Sequence, residues 1–256
     1  MIGRAFWTST PGARVFGVVV TLAVLGVVEA LIAAEVVNPF IVPRPSQVAA
    51  AIPRVVMEEN IPLRFWQTTK EVFAAAALLA VGGIGVGVLL YRFRTLRLAT
   101  ESWVGALAAA PIVLMYPLFL VTFGRSATTI AMIGFAAGIA PVILKTVEGF
   151  AGVRPVLIDV GRTFNATRRQ QFRKILLPAA LASIFTGMRL GLIFAMINIV
   201  GVEFLINFGG LGQLINELAE RYDLPGTYAA ICFVVLVSIL FYVLTGKLER
   251  RLRPHQ

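Results

Sequence analysis

Charge is scarce in this chain. Only 14% of its 256 residues are charged, against roughly a quarter in soluble domains. Hydrophobic residues reach 58% and the mean hydropathy is +0.86, so an ordinary water-soluble fold is excluded and a polytopic membrane protein is indicated. Cysteine and histidine are almost missing. Cys232 stands alone inside an apolar run, which rules out an intrachain disulfide and a cysteine-based metal cluster, and the single histidine, His255, is next to the last residue. No metal site and no catalytic constellation can be assembled from these two. A G-x-x-x-x-G-K-[S/T] phosphate loop is also lacking, so nucleotide must be held by another chain. The net charge of +10 raises nucleic acid as a ligand, but the basic residues are scattered through short connections and gather on no domain face. No convincing internal repeat or separate soluble domain appears, and residues 1–256 read as one transmembrane domain.

What is abundant is long apolar runs. Val15–Ala34 contains one charge, Glu29, and is long enough to cross a bilayer core of about 30 Å; it exceeds the short apolar core of a cleaved signal peptide and is expected to be retained. A proline-punctuated connection, NPFIVPRPSQV, follows and leads into a short amphipathic helix for which Ser46 is the expected cap. Further spans are predicted at Val72–Tyr91, Ser102–Gly124, Ser126–Leu144, Gly187–Phe208 and Gly226–Gly246. Gly82, Gly83, Gly85 and Gly87 mark the second as a close-packed central helix. Pro111 and Pro117 predict a kinked third span. With both termini inside, 17 of the 23 Lys and Arg residues fall on the cytoplasmic side, as the positive-inside rule requires of six spans.

The one long basic interruption is Arg154–Pro178, RPVLIDVGRTFNATRRQQFRKILLP. Its apolar residues recur near helical spacing, predicting two short amphipathic helices hinged at Asn165 and Ala166, the second stopped by Pro178. The run Asp159, Val160, Gly161, Arg162, Thr163, Phe164, Asn165, Ala166, closing with Ile175, Leu177 and Pro178, resembles the coupling loop of permease subunits of type I binding-protein-dependent ABC importers. That loop is written EAA, then G, then I-x-L-P. Asp159 stands for the Glu, Gly161 for the second Ala and Asn165 for the hinge Gly; Asn is the non-glycine residue best suited to a left-handed turn. Pro43, Pro45, Ser46 and Val48 resemble the nitrate, sulfonate and taurine branch, and PIVLMYPL resembles the family's proline pair in the helix that lines the translocation path. Glu203 with Gly210, Leu211 and Gly212 resembles the Glu and Gly-Leu-Gly before the last helix. Lys145 replaces an Asn of the pattern, and Glu71 an Arg.

The resemblance implies an all-α membrane protein of six transmembrane helices with a cytoplasmic coupling hairpin, residues 154–178, between helices four and five. It implies a homodimer in the bacterial inner membrane. Two cytoplasmic ATP-binding cassette subunits would carry ATP and Mg, and an extracytoplasmic solute-binding protein would deliver a small anionic solute such as a sulfonate, taurine or nitrate. No cofactor is expected on this chain, and no nucleic acid. Asp159, Gly161, Arg162, Thr163, Phe164, Asn165, Ala166, Thr167 and Pro178 are the expected ATPase-coupling residues; Pro111, Met115, Tyr116, Pro117 and Glu203 are the expected lining of the translocation path. Permeases for thiamine-precursor-like solutes share these features. An ion-gradient-driven transporter is the rival, but it needs a set of midplane ionisable groups, and few are available beyond Glu29 and Glu203. A membrane-embedded enzyme lacks paired acids or an activated nucleophile.

Overall fold

A computed structural model describes residues 10–252; Arg4 of the polar lead, and Arg253 and His255 at the other end, lie outside the described residues. Every element among the described residues is helical: α1 (Thr10–Ala33), α2 (Pro45–Glu58), α3 (Ile61–Arg92), α4 (Arg94–Ala109), α5 (Ile112–Phe123), α6 (Ala127–Ala151), α7 (Pro155–Thr163), α8 (Arg168–Ile206), α9 (Gly210–Glu220) and α10 (Leu224–Leu252). Five of these are long and apolar enough to cross a bilayer, and α4 with α5 makes a sixth crossing if the bent pair is one span. By internal contacts the chain divides into two units, one of residues 1–61 with 215–233 and one of residues 62–214 with 234–256.

In the first unit α1 is exposed along most of its length, with Val18, Leu22 and Val27 all open. Such a helix is at home only where hydrocarbon is the solvent. Its one acid is spoken for. Glu29 accepts hydrogen bonds from the Ser46 backbone N–H at 3.0 Å and from Ser46 Oγ at 2.7 Å. Ser46 therefore does not cap α2 as expected. Arg44 holds the cap position, Ser46 lies in the first turn, and a carboxylate from a different helix satisfies the free N–H. The far end of α2 is tied by ion pairs, Arg54 to Asp223 at 2.5 Å and Glu59 to Arg221 at 2.8 Å. Burial pushes the Asp223 carboxyl up, but the hydrogen bond from Arg54, the Gly226 N–H and the nearby guanidinium charges outweigh it and hold the group below the usual carboxylate range.

The second unit is built on α3, α6 and α8 around a core that includes Ala75, Leu79, Ile130, Ile133, Ile199 and Val202. Small residues set the helix spacing, because in lipid close packing drives association. A Cβ at Gly83 would lie 2.8 Å from Val142 Cγ1, one at Gly87 would lie 2.5 Å from Thr146 Cβ, and one at Gly191 would lie 2.7 Å from the Gly138 carbonyl. Of the glycines that marked the second span, Gly82, Gly83 and Gly87 seat α3 on α6, while Gly85 faces no neighbour.

Two further features differ from the sequence reading. The third span is broken rather than kinked: α4 ends at Ala109, α5 starts at Ile112, and their axes are bent by 91°. Ala110, preceding Pro111, is forced extended (φ −72°, ψ 134°), because a proline ring excludes its predecessor from the α region. Pro178 does not stop the helix after the hinge. The helix opens into a π turn over Phe172–Leu176 and resumes at Leu177, so Pro178 falls in the first turn of the resumed helix. There its missing N–H and its ring meet no regular α hydrogen bond to break.

Candidate functional site

The basic hairpin is held by local chemistry that its sequence spells out. Pro155 opens α7 at a position where a missing N–H costs nothing. α7 closes in a Schellman turn: Ala166 N–H donates to Gly161 O and Asn165 N–H to Arg162 O, both at 2.9 Å, with Asn165 left-handed at φ 51°. Asn165 thus does the work of the glycine it replaces. α8 begins with a capping box. Thr167 Oγ1 accepts from the Gln170 N–H at 3.3 Å, and the Gln170 side chain accepts from the Thr167 N–H at 2.8 Å. Gln171 Nε2 closes the loop by donating to Ala166 O at 3.1 Å.

Gly161 is buried, and a Cβ there would lie 2.6 Å from Ile175 Cδ1, so α7 rests directly on the π turn of α8. The opposite face of α7 is open. It presents Val156, Val160 and Phe164, at 69%, 47% and 81% exposure. Asp159 and Arg162 pair at 3.0 Å on this face, both well exposed, an arrangement that contributes little to stability. Thr163 Oγ1 donates to Asp159 O at 3.0 Å. The structure brings together all the predicted residues from Asp159 to Thr167, while Pro178 sits beyond the π turn.

The predicted lining residues are not gathered in the same way. Pro111 is exposed in the α4–α5 break and Pro117 is exposed within α5, Met115 is 43% exposed, and Tyr116 packs on the core. Glu203 is wholly enclosed at 0% exposure, and its hydrogen bonds run elsewhere. It accepts from Thr68 Oγ1 at 2.6 Å and from the Gly212 N–H at 2.8 Å. The Leu211 N–H donates to Thr68 Oγ1 and the Gly210 N–H to Gln67 Oε1, each at 3.0 Å, and the Gly209 N–H is bound by the Gln213 side chain. Side chains of α3, α8 and α9 itself thus satisfy the free N–H groups at the start of α9, where a carboxylate is electrostatically favoured. The glycines follow from this. A Cβ on Gly210 would overlap the Glu203 carboxylate, and one on Gly212 would overlap the Val200 carbonyl.

Glu71, left without a role by sequence reading, is buried beside Glu203. Its Oε2 has no hydrogen-bond partner among the described residues. It lines a cavity of about 830 Å³ together with Gln67, Lys70, Thr128, Met132 and Phe208. Gln67 did not stand out in the sequence, and Thr68 did so only as part of the run before the second span, since their partners lie more than 130 positions away.

Comparison with known proteins completes the picture. Residues 79–254 match the profile of the family described as binding-protein-dependent transport system inner membrane component. A riboflavin transport system permease protein of Chloroflexus aurantiacus is 32% identical over 62% of this chain, the match spanning 59% of that protein. A taurine transport system permease protein of Escherichia coli is 26% identical over 91% of this chain and 87% of its own length. Among solved structures, one of the MetNI methionine ABC transporter in inward-facing conformations superposes with a TM-score of 0.66 at 20% identity, covering 77% of this chain and 97% of that one. At that identity the likeness speaks for the fold.

Proposed function

Because this chain belongs to the family of binding-protein-dependent transport system inner membrane components, we propose that its basic hairpin is the place where the motor of an ABC importer takes hold. The protein is a multi-pass inner-membrane permease subunit and not an enzyme; ATP is hydrolysed on another chain. In this reading α7 enters a groove on a cytoplasmic ATP-binding cassette subunit that carries ATP and Mg. The carrying observation is the open face of α7. Val156, Val160 and Phe164 stand exposed on a hairpin that also bears Arg168, Arg169, Arg173 and Lys174. That much charge keeps the hairpin out of hydrocarbon, and three apolar side chains on one short helix are unfavourable in water. A groove on a soluble partner suits both.

The hairpin and both termini then lie in the cytoplasm, consistent with the excess of Lys and Arg in the segments assigned there. A second copy of this chain completes the pathway, and a solute-binding protein delivers cargo from outside. The likeness to a taurine permease across nearly the whole chain supports a small anionic solute of the sulfonate, taurine or nitrate type. A larger heterocyclic solute is the second reading, supported by the likeness to a riboflavin transport permease; the cavity wall, which carries both Glu71 and Lys70, suits either charge.

Co-purification with the ATPase tests the docking reading. Phe164→Asp and Asp159→Arg are expected to abolish ATPase association while the permease stays monodisperse. ATPase retained by both variants would refute it, as would exclusively extracytoplasmic labelling of Arg168→Cys in a Cys232→Ser background.

A further inference from the structure

We infer that three stacked rings, Phe172, Phe150 and Tyr91, are the positioning residues through which a displacement of the hairpin reaches the rest of the second unit. This inference rests on the hairpin being the ATPase contact. The rings of Phe172 and Phe150 lie 5.6 Å apart with planes at 16°, and those of Phe150 and Tyr91 lie 5.1 Å apart at 27°. Each comes from a different helix: Phe172 from the π turn of α8, Phe150 from the last turn of α6, Tyr91 from the last turn of α3. Phe150, in the middle, is 1% exposed and packs with Ala180, Ile184, Leu176 and Leu177.

The need for such a link follows from the neighbouring backbone. The hairpin is one stiff body: its Schellman turn, its capping box and the Gln171 to Ala166 bond tie α7 to residues 168–171. The joint between that body and the long apolar part of α8 is the π turn Phe172–Leu176. A π turn interrupts the regular i→i−4 ladder of the helix, and the proline following it supplies no backbone donor. A push on the hairpin transmitted by backbone alone is absorbed there. The Phe172 ring bypasses the joint. It bears sideways on Phe150, and through Phe150 on Tyr91, so the ends of α6 and α3 must follow. Offset stacking in a closed apolar pocket resists shear because packed interiors shift between discrete arrangements rather than deform.

The test uses the full permease bound to its ATPase in nanodiscs, in a Cys232→Ser background, with Val81→Cys as reporter. Val81 is 77% exposed and lines the cavity on α3. Its labelling rate with a charged methanethiosulfonate is compared with and without Mg-ATP plus vanadate. Phe172→Ala and Phe150→Ala are expected to keep the ATPase bound and to lose the nucleotide-dependent change in labelling, with Phe172→Tyr restoring it. Phe172→Ala that responds to nucleotide as the parent does overturns the inference. So does Phe172→Ala that loses the ATPase, since the ring would then only shape the hairpin. If the parent itself fails to hold the ATPase, the docking reading fails, and that failure is read separately.

Discussion

Removing the Glu203 side chain should unfasten α9, and the structure gives the size of the effect. In Glu203→Ala the Thr68 hydroxyl loses its acceptor but can turn to the Arg64 carbonyl, 3.3 Å away. The Gly212 N–H, now 2.8 Å from the carboxylate, has nowhere to turn, and an orphaned buried donor costs about 1–3 kcal/mol. The vacated volume in a fully enclosed site adds about 1 kcal/mol or more, so the loss is about 2–4 kcal/mol. For a chain of this size that corresponds to a melting-temperature drop on the order of 5–15 °C. Glu203→Gln is the informative control. Its Oε1 can keep the Gly212 N–H while its Nε2 donates to Thr68 Oγ1, whose second lone pair still accepts from Leu211 and whose proton goes to Arg64. Gly212, Thr68 and Leu211 stay paired, and the charge assistance is lost, about 1 kcal/mol. Thermal aggregation of the detergent-solubilised protein, followed by size-exclusion fluorescence, measures both. Equal losses for Gln and Ala would show that charge rather than hydrogen bonding fastens α9, and an undisturbed Glu203→Ala would refute the fastening altogether.

Gly212→Ala should destabilise by about 1–3 kcal/mol through overpacking, because the added methyl meets the backbone of α8; the same melting assay checks it. Gly161→Leu forces α7 off Ile175 and should release the ATPase without lowering expression, read by co-purification. Asn165→Gly should leave ATPase binding intact, whereas Asn165→Val, a β-branched residue at φ 51°, should weaken the hairpin by about 1–2 kcal/mol, read as a loss of ATPase at limiting concentration. The Arg54–Asp223 tie has a defined pH dependence. Because the folded Asp223 carboxyl lies below its ordinary value, the stability it lends is fully present above the unfolded value near pH 4 and is lost as pH falls through the lower folded value. The melting difference between parent and Asp223→Asn should therefore be flat from about pH 5 to 8 and should shrink in stronger acid; a difference that changes around neutrality would contradict it.

What depends on near neighbours and on solvent could largely be read from the order of the residues. Long apolar runs can lie only in hydrocarbon, and the basic stretch 154–178 can lie only outside it. The pattern Asn165, Ala166, Thr167, Gln170 sets a left-handed turn followed by a capping box, because each bond closes within five residues. The small-residue positions of α3 were legible for the same reason, although which helix they meet was not. Tertiary structure alone decided the rest. Nothing local says that Glu29 takes the free Ser46 N–H in the first turn of α2, or that Gln67, Thr68 and Glu203 converge on the first turn of α9. The two prolines show why. Pro111 breaks its span, with Ala110 extended before it and Ile112 buried in the core after it. Pro178 is carried through because packing of Ile175 under Gly161 and Phe172 on Phe150 holds the helix in a π turn that tolerates it. A proline states which backbone bond is missing; only the surrounding packing determines whether the helix ends there.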